Sequence, residues 1–142
     1  AHVPVLTGAL GNIPSSFASL GSRQENAAIL RKAGVPLVLI GDQGDTFRAR
    51  TIRQHAGNAV AYGLPWDEAL RAVTLAPAEA FGVADTIGSL QVGRDANVVV
   101  WDGDPFEFAT HATHVFVRGR DTRTPSREDL LTERYKKRGG LE

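Results

Sequence analysis

At 142 residues with 42% hydrophobic content, the chain is long enough for one globular domain with a real core, which excludes a disordered tail. Sixteen Lys and Arg balance sixteen Asp and Glu, so no net field gathers phosphates or anionic lipid, and nucleic acid is excluded as a first partner. The absence of cysteine removes disulfides, thiolate zinc sites and cysteine nucleophiles together, so any metal must be held by His, Asp or Glu.

The longest apolar stretch, Gly34 to Gly41, is far too short to cross a bilayer, and the N-terminus lacks a basic-then-apolar signal pattern. The expectation is a soluble, cytoplasmic protein without a membrane partner. Ala1-His2-Val3-Pro4 runs straight into a strand pattern, so the N-terminus reads as a cut inside a larger fold. Leu141-Glu142 after Gly139-Gly140 reads as a vector remnant and is left out of functional argument.

In chain order, Val3 to Thr7 is a β-branched apolar run that predicts a strand buried on both faces. A loop follows through Gly11 to Ser16, and Ser22 with Glu25 three positions on predicts a capping box for a helix ending at Gly34. Val35 to Ile40 predicts a second buried strand, which runs into the glycine-rich acidic loop Gly41-Asp42-Gln43-Gly44-Asp45. Strand, helix and strand make a βαβ unit.

From Phe47 to Tyr62, Ile52, Ala56, Ala59 and Val60 recur at helical spacing, and Gly63 ends the helix. Pro65 suits the first position of the next helix, which turns Ala69, Leu70 and Val73 inward, and Pro77 opens a short helix closed by Gly82. Near Asp85 helices give way to sheet. Ser89 to Val92 and Ala96 to Trp101 read as extended segments joined by Gly93-Arg94, and Val115 to Val117 as a third. From Ser126 to Arg138, acidic residues lead and basic residues follow, as a helix dipole favours.

Asp42 is the best candidate for chemistry, because α/β folds gather their functional groups in the loops after the C-terminal ends of strands. By position alone, a turn or capping aspartate is the plainer reading, and Asp45 is better placed to cap the next helix. His55, beside the apolar stripe of its helix, reads as a packed, hydrogen-bonded histidine rather than a ligand. His111 and His114 are spaced as ligands on a helix, but their surroundings read as a loop entering a strand, where they would point to opposite faces. Arg48, Arg50 and Arg53 could recognise a substrate carboxylate, although a solvated helix face explains them more simply. Trp101 and Phe116 read as sheet core.

The ordered set from Asp42 through Gly63-Leu64-Pro65-Trp66-Asp67-Glu68-Ala69-Leu70-Arg71-Ala72-Val73-Thr74, Pro77-Ala78 and Phe81-Gly82-Val83 resembles the amidohydrolase superfamily near its imidazolonepropionase-like branch. So do Gly88-Ser89-Leu90, Gly93 to Trp101, Asp102-Gly103-Asp104-Pro105 and Val117-Arg118-Gly119. The resemblance implies an α/β fold: the last two β/α units of a (β/α)8 barrel over residues 1–85, the C-terminal part of a small β-sandwich over 86–121, and a helical tail over 122–142. It places Asp42 at the end of the eighth strand as ligand to a divalent metal, usually zinc, and as the group that takes a proton from the attacking water and passes it to the leaving nitrogen. Such chemistry suits a carboxylate beside a metal that lowers the pKa of its water to ~7.

Asn97 stands where the family often has Asp, Ala76 where a polar cap often precedes the proline, and Gly41 where Thr or Ser is usual. The remaining metal ligands would all lie before Ala1, so the resemblance implies a small-molecule hydrolase of carbon–nitrogen bonds that is inactive as this chain alone. The remainder of the barrel is then its natural partner, with self-association through the open barrel edge in its absence. The alternative is a complete non-enzymatic α/β signalling or interaction module. A receiver-like domain with Asp42 as phosphoacceptor would need further acidic residues near its first strand, and none occurs between Ala1 and Gly21. A sandwich module would carry its function on Gly88 to Arg120.

Overall fold

A computed structural model describes residues 3–9, 13–14, 16–41, 51–122, 125 and 127–139. The first strand, β1 (Val5–Thr7), and the second, β2 (Leu37–Leu39), pair in parallel with Val5 opposite Leu37 and Thr7 opposite Leu39. Helix α1 (Asn26–Lys32) connects them, so the predicted βαβ unit is formed. The helix starts later than its sequence suggests. Residues 24–25 form a turn in which the Asn26 amide donates to the Arg23 carbonyl at 3.1 Å, so Ser22 does not cap it. A reciprocal serine pair caps the short 3-10 turn Phe17–Ser19 instead, with the Ser16 amide donating to Ser19 Oγ at 2.9 Å.

The two strands differ in burial. β2 is buried throughout because α1 and the three helices that follow the strand pack on it. β1 is not buried on both faces as expected: Val5 is 36% and Leu6 46% exposed, because among the described residues only β2 flanks it.

Helices α2 (Ile52–Ala61), α3 (Trp66–Val73) and α4 (Leu75–Ala80) follow. Pro65 stands one residue before α3 rather than at its first position, with ψ at 143°. Pro77 falls inside the first turn of α4, where its missing N–H leaves no helical bond unmade. Glycine ends α1, α2 and α4 in the same way. At Gly63, φ is +96°, its amide donates to the Val60 carbonyl at 3.0 Å, and the next amide, Leu64, reaches back to Ala59 at 2.9 Å. This paired closure requires a left-handed residue, which explains why Gly34, Gly63 and Gly82 are legible as stops.

These elements share a core of Ala9, Ala27, Leu37, Leu39, Ala56, Ala59, Leu64, Ala69 and Ala72. Ala72 is fully buried, whereas Leu70 and Val73, expected inside, are half-buried. Alanine dominates because small side chains let the helices approach one another and β2 closely.

Strands β3 (Val98–Trp101), β4 (Ala112–Val117) and β5 (Arg120–Asp121) form an antiparallel meander. A two-residue turn joins β4 to β5, with φ at +49° for Arg118 and +75° for Gly119, the mirror-image geometry that matches strand twist. Asn97 Oδ1 accepts the Arg118 amide at 3.0 Å, a role that an Asp oxygen could also fill. Ser89–Val92 is not a strand. Leu90 is 79% exposed, and the turn at Gly93 returns the Asp95 amide to the Thr86 carbonyl at 2.8 Å instead of pairing two strands. Trp101 and Phe116 are half-buried rather than core. Helix α5 (Arg127–Gly139) forms as the charge order predicts, with Glu128 and Asp129 in its first turn. Among the described residues, no helix is long and apolar enough to cross a membrane.

Candidate functional site

Asp42 lies outside the described residues, as do His2, Asp45, Arg48 and Arg50. The frame around the end of β2 is described. The Ile40 amide donates to the Thr7 carbonyl at 3.0 Å, tying the exits of the two parallel strands together. Gly8, the first residue past β1, sits against the Ile40 carbonyl and the His55 ring, each about 3.7 Å from the position its Cβ would occupy. Among the described residues, nothing lies within 4 Å of the position a Cβ at Gly41 would occupy.

His55 is fully buried on α2, and its Nδ1 accepts the Ala9 amide at 3.1 Å. A ring that accepts at Nδ1 is neutral and carries its proton on Nε2. The packed, hydrogen-bonded histidine is therefore what the structure contains. One turn further along α2, Asn58 Nδ2 donates to the Ala9 carbonyl. Asn58 was not singled out in the sequence; the only signal was its place three positions after His55, on the same helical face.

Arg53 is neither a solvated side chain nor a free carboxylate receptor. One terminal nitrogen donates to the carbonyls of Pro105, Glu107 and Thr110 at 3.2, 3.1 and 3.1 Å, and the guanidinium carbon lies 5.3 Å from the centre of the Trp101 ring. Gly57, on the same face of α2, lets this loop approach so closely that a Cβ would stand 2.8 Å from the Phe106 carbonyl oxygen. Gly57 was not singled out in the sequence; the available signal was a glycine inside a helix, which costs about 1 kcal/mol relative to alanine. Asp104 fixes the loop from the α3 side by accepting from Trp66 Nε1 at 2.9 Å and from the Phe106 amide at 2.9 Å.

Of the other two described histidines, His111 immediately precedes β4 and His114 lies on it. His111 is exposed with Nδ1 3.7 Å from Asp102, while His114 meets Asp121 at 2.8 Å and stacks on Phe116. Among the described residues, no group of three or more His, Cys, Asp or Glu could hold a metal ion. The described residues therefore do not supply a metal site by themselves.

A cavity of about 330 Å³ opens at the opposite, entry end of the strands, lined by Pro4, Pro36, Arg31, Glu68, Arg71 and Glu79. It is remote from the end that leads to Asp42. Its charges are already paired. Arg31 donates to Glu68 at 2.7 Å, and this hydrogen bond holds the Glu68 carboxyl below the usual carboxylate range while raising Arg31. A depressed carboxylate contributes stability that is complete above its unfolded pKa and lost as pH falls through the lower folded value. The pair is partly exposed, so its worth is about 0.2–1 kcal/mol. Urea titrations at pH 7 and pH 3 should show a Glu68→Gln penalty at pH 7 that shrinks at pH 3; an equal penalty at both would remove the ion pair as its cause.

The amidohydrolase family profile matches residues 2–124. An imidazolonepropionase from Shewanella putrefaciens is 36% identical over 93 residues, which are 63% of this chain and 23% of that protein. Amidohydrolase tasK from Hapsidospora irregularis is 32% identical over 91 residues, 64% of this chain and 9% of its own length. The match thus spans a quarter or less of the length of these two relatives. Among solved structures, an amidohydrolase from Thermotoga maritima superimposes with a TM-score of 0.76 at 30% identity, covering 86% of this chain and 32% of that one. A zinc-bound adenosine deaminase from Xanthomonas campestris superimposes at 0.66 with 21% identity, covering 95% of this chain and 36% of its own, a likeness of fold alone. With a sequence match that runs from the parallel strand pair through the antiparallel meander, the chain belongs to the amidohydrolase family.

Proposed function

We propose that this chain supplies the last two β/α units of a (β/α)8 barrel, residues 1–85, to a metal-dependent hydrolase acting on an amide, cyclic amide or other carbon–nitrogen bond. Residues 86–121 belong to its small β-sandwich and 122–142 to a helical tail. Asp42 is a metal ligand and the proton carrier between water and leaving nitrogen. The divalent metal, zinc in this reading, supplies Lewis-acid activation of water, and its other ligands come from polypeptide outside this chain. The observation that carries the reading is the tied pair of strand exits, Ile40 to Thr7, because barrels of this kind build their sites where parallel strands end and Asp42 follows Gly41 directly. The open side of β1, with Val3 64%, Val5 36% and Leu6 46% exposed, is where the remainder of the barrel would pack. This chain alone would pair with itself there.

In the full-length protein, Asp42→Ala should abolish stoichiometric zinc and slow hydrolysis of a cyclic-amide panel that includes imidazolonepropionate by about 10²–10⁴-fold. Zinc content by elemental analysis and rate by absorbance would check it. Tight stoichiometric zinc together with turnover by residues 1–142 alone would refute the reading.

A further inference from the structure

Helix α2 presents two side chains to one peptide. His55 Nδ1 accepts the Ala9 amide at 3.1 Å and Asn58 Nδ2 donates to the Ala9 carbonyl, so both polar ends of that residue are held. Ala9 and His55 are each fully buried, so water is not available to replace the acceptor at the amide end, while Asn58 is half-buried. Gly8 lies against both the His55 ring and the Ile40 carbonyl, each about 3.7 Å from the position its Cβ would occupy. Residues three apart on a helix share a face, which makes this two-point grip a property of α2 rather than of the loop.

We propose that His55 and Asn58 are positioning residues: from one face of α2 they grip Ala9 at both ends and fix the direction in which the chain leaves β1, beside the strand that leads to Asp42. Their bearing on catalysis rests on the reading of Asp42 given above. The grip demands a neutral His55 ring, because a second ring proton on Nδ1 would face the Ala9 amide donor with another donor. Leucine at position 55 fills much of the same space without accepting. Asparagine carries an acceptor near the place of Nδ1.

Amide hydrogen exchange in the full-length protein tests this at two sites, Ala9 and Leu64, the latter bonded at the far end of α2 to Ala59 at 2.9 Å. In His55→Leu, Ala9 exchange should rise about tenfold to hundredfold while Leu64 changes by less than about threefold, and His55→Asn should return Ala9 to within about threefold of the parent. Should His55→Leu not fold, Asn58→Leu carries the same expectation through the carbonyl end. Unchanged Ala9 exchange, or parallel acceleration at both amides without rescue by asparagine, would overturn the proposal. Asp42→Ala should leave Ala9 protected while removing zinc. Zinc retained in that variant would sink the metal reading and leave the grip to be judged by Ala9 alone.

Discussion

Gly88→Ala is expected to destabilise the protein by about 2–5 kcal/mol and to lower its melting temperature by on the order of 10 °C. Two effects combine at this position. Gly88 has φ at +96°, a left-handed conformation that costs a residue with a Cβ roughly 1–2 kcal/mol. The added carbon would also stand 2.7 Å from Ala78 Cβ and 3.2 Å from both Leu75 Cα and the Thr74 carbonyl, so α4 itself must move. Overpacking of this kind costs about 1–3 kcal/mol. Gly82 separates the two effects, since its φ is +70° but none of the described residues lies within 4 Å of its Cβ position. Gly82→Ala should therefore show the smaller loss. Thermal unfolding by circular dichroism would compare them, and equal losses would rule out the steric clash as the larger cause.

Arg53→Met should cost about 2–3 kcal/mol, from loss of a charged donor shared by three carbonyls whose surroundings are partly closed to water. Methionine keeps an apolar stem against Trp101, so the deficit reports the lost donors more than lost packing. Lysine keeps the charge but not the plane that lies over the ring, and Arg53→Lys should fall between the two. Near-UV circular dichroism would follow Trp101, and urea unfolding would give the energies. A methionine variant within about 0.5 kcal/mol of the parent would mean that the loop from Asp102 to His111 holds itself in place without α2.

What the sequence made legible was local. Glycines 34, 63 and 82 end helices because the closure they make involves only neighbouring residues, and the tail helix follows from its own charge order. The start of α1 was misplaced because several serines before Asn26 offer competing caps, and the pattern alone does not rank them. Ser89 to Val92 has strand composition, but a strand needs a partner, and the return bond from Asp95 to Thr86 forms a turn there instead. Arg53 was misread for a related reason. Its acceptors lie 52 to 57 residues further along the chain, so a helix-face pattern could not distinguish it from a solvated cation. Asp42 stands out only through the resemblance over most of the chain, since a single Asp after a strand is more often a turn residue than a catalytic one.

Helix α2 is pinned on opposite sides, by Arg53 and Gly57 against the loop after β3 and by His55 and Asn58 against the chain leaving β1. A helix held this way cannot slip along its axis or roll without breaking bonds on both flanks at once. The loop after β3 and the chain leaving β1 therefore share one support, and a substitution that shifts α2 toward one of them should be felt at the other.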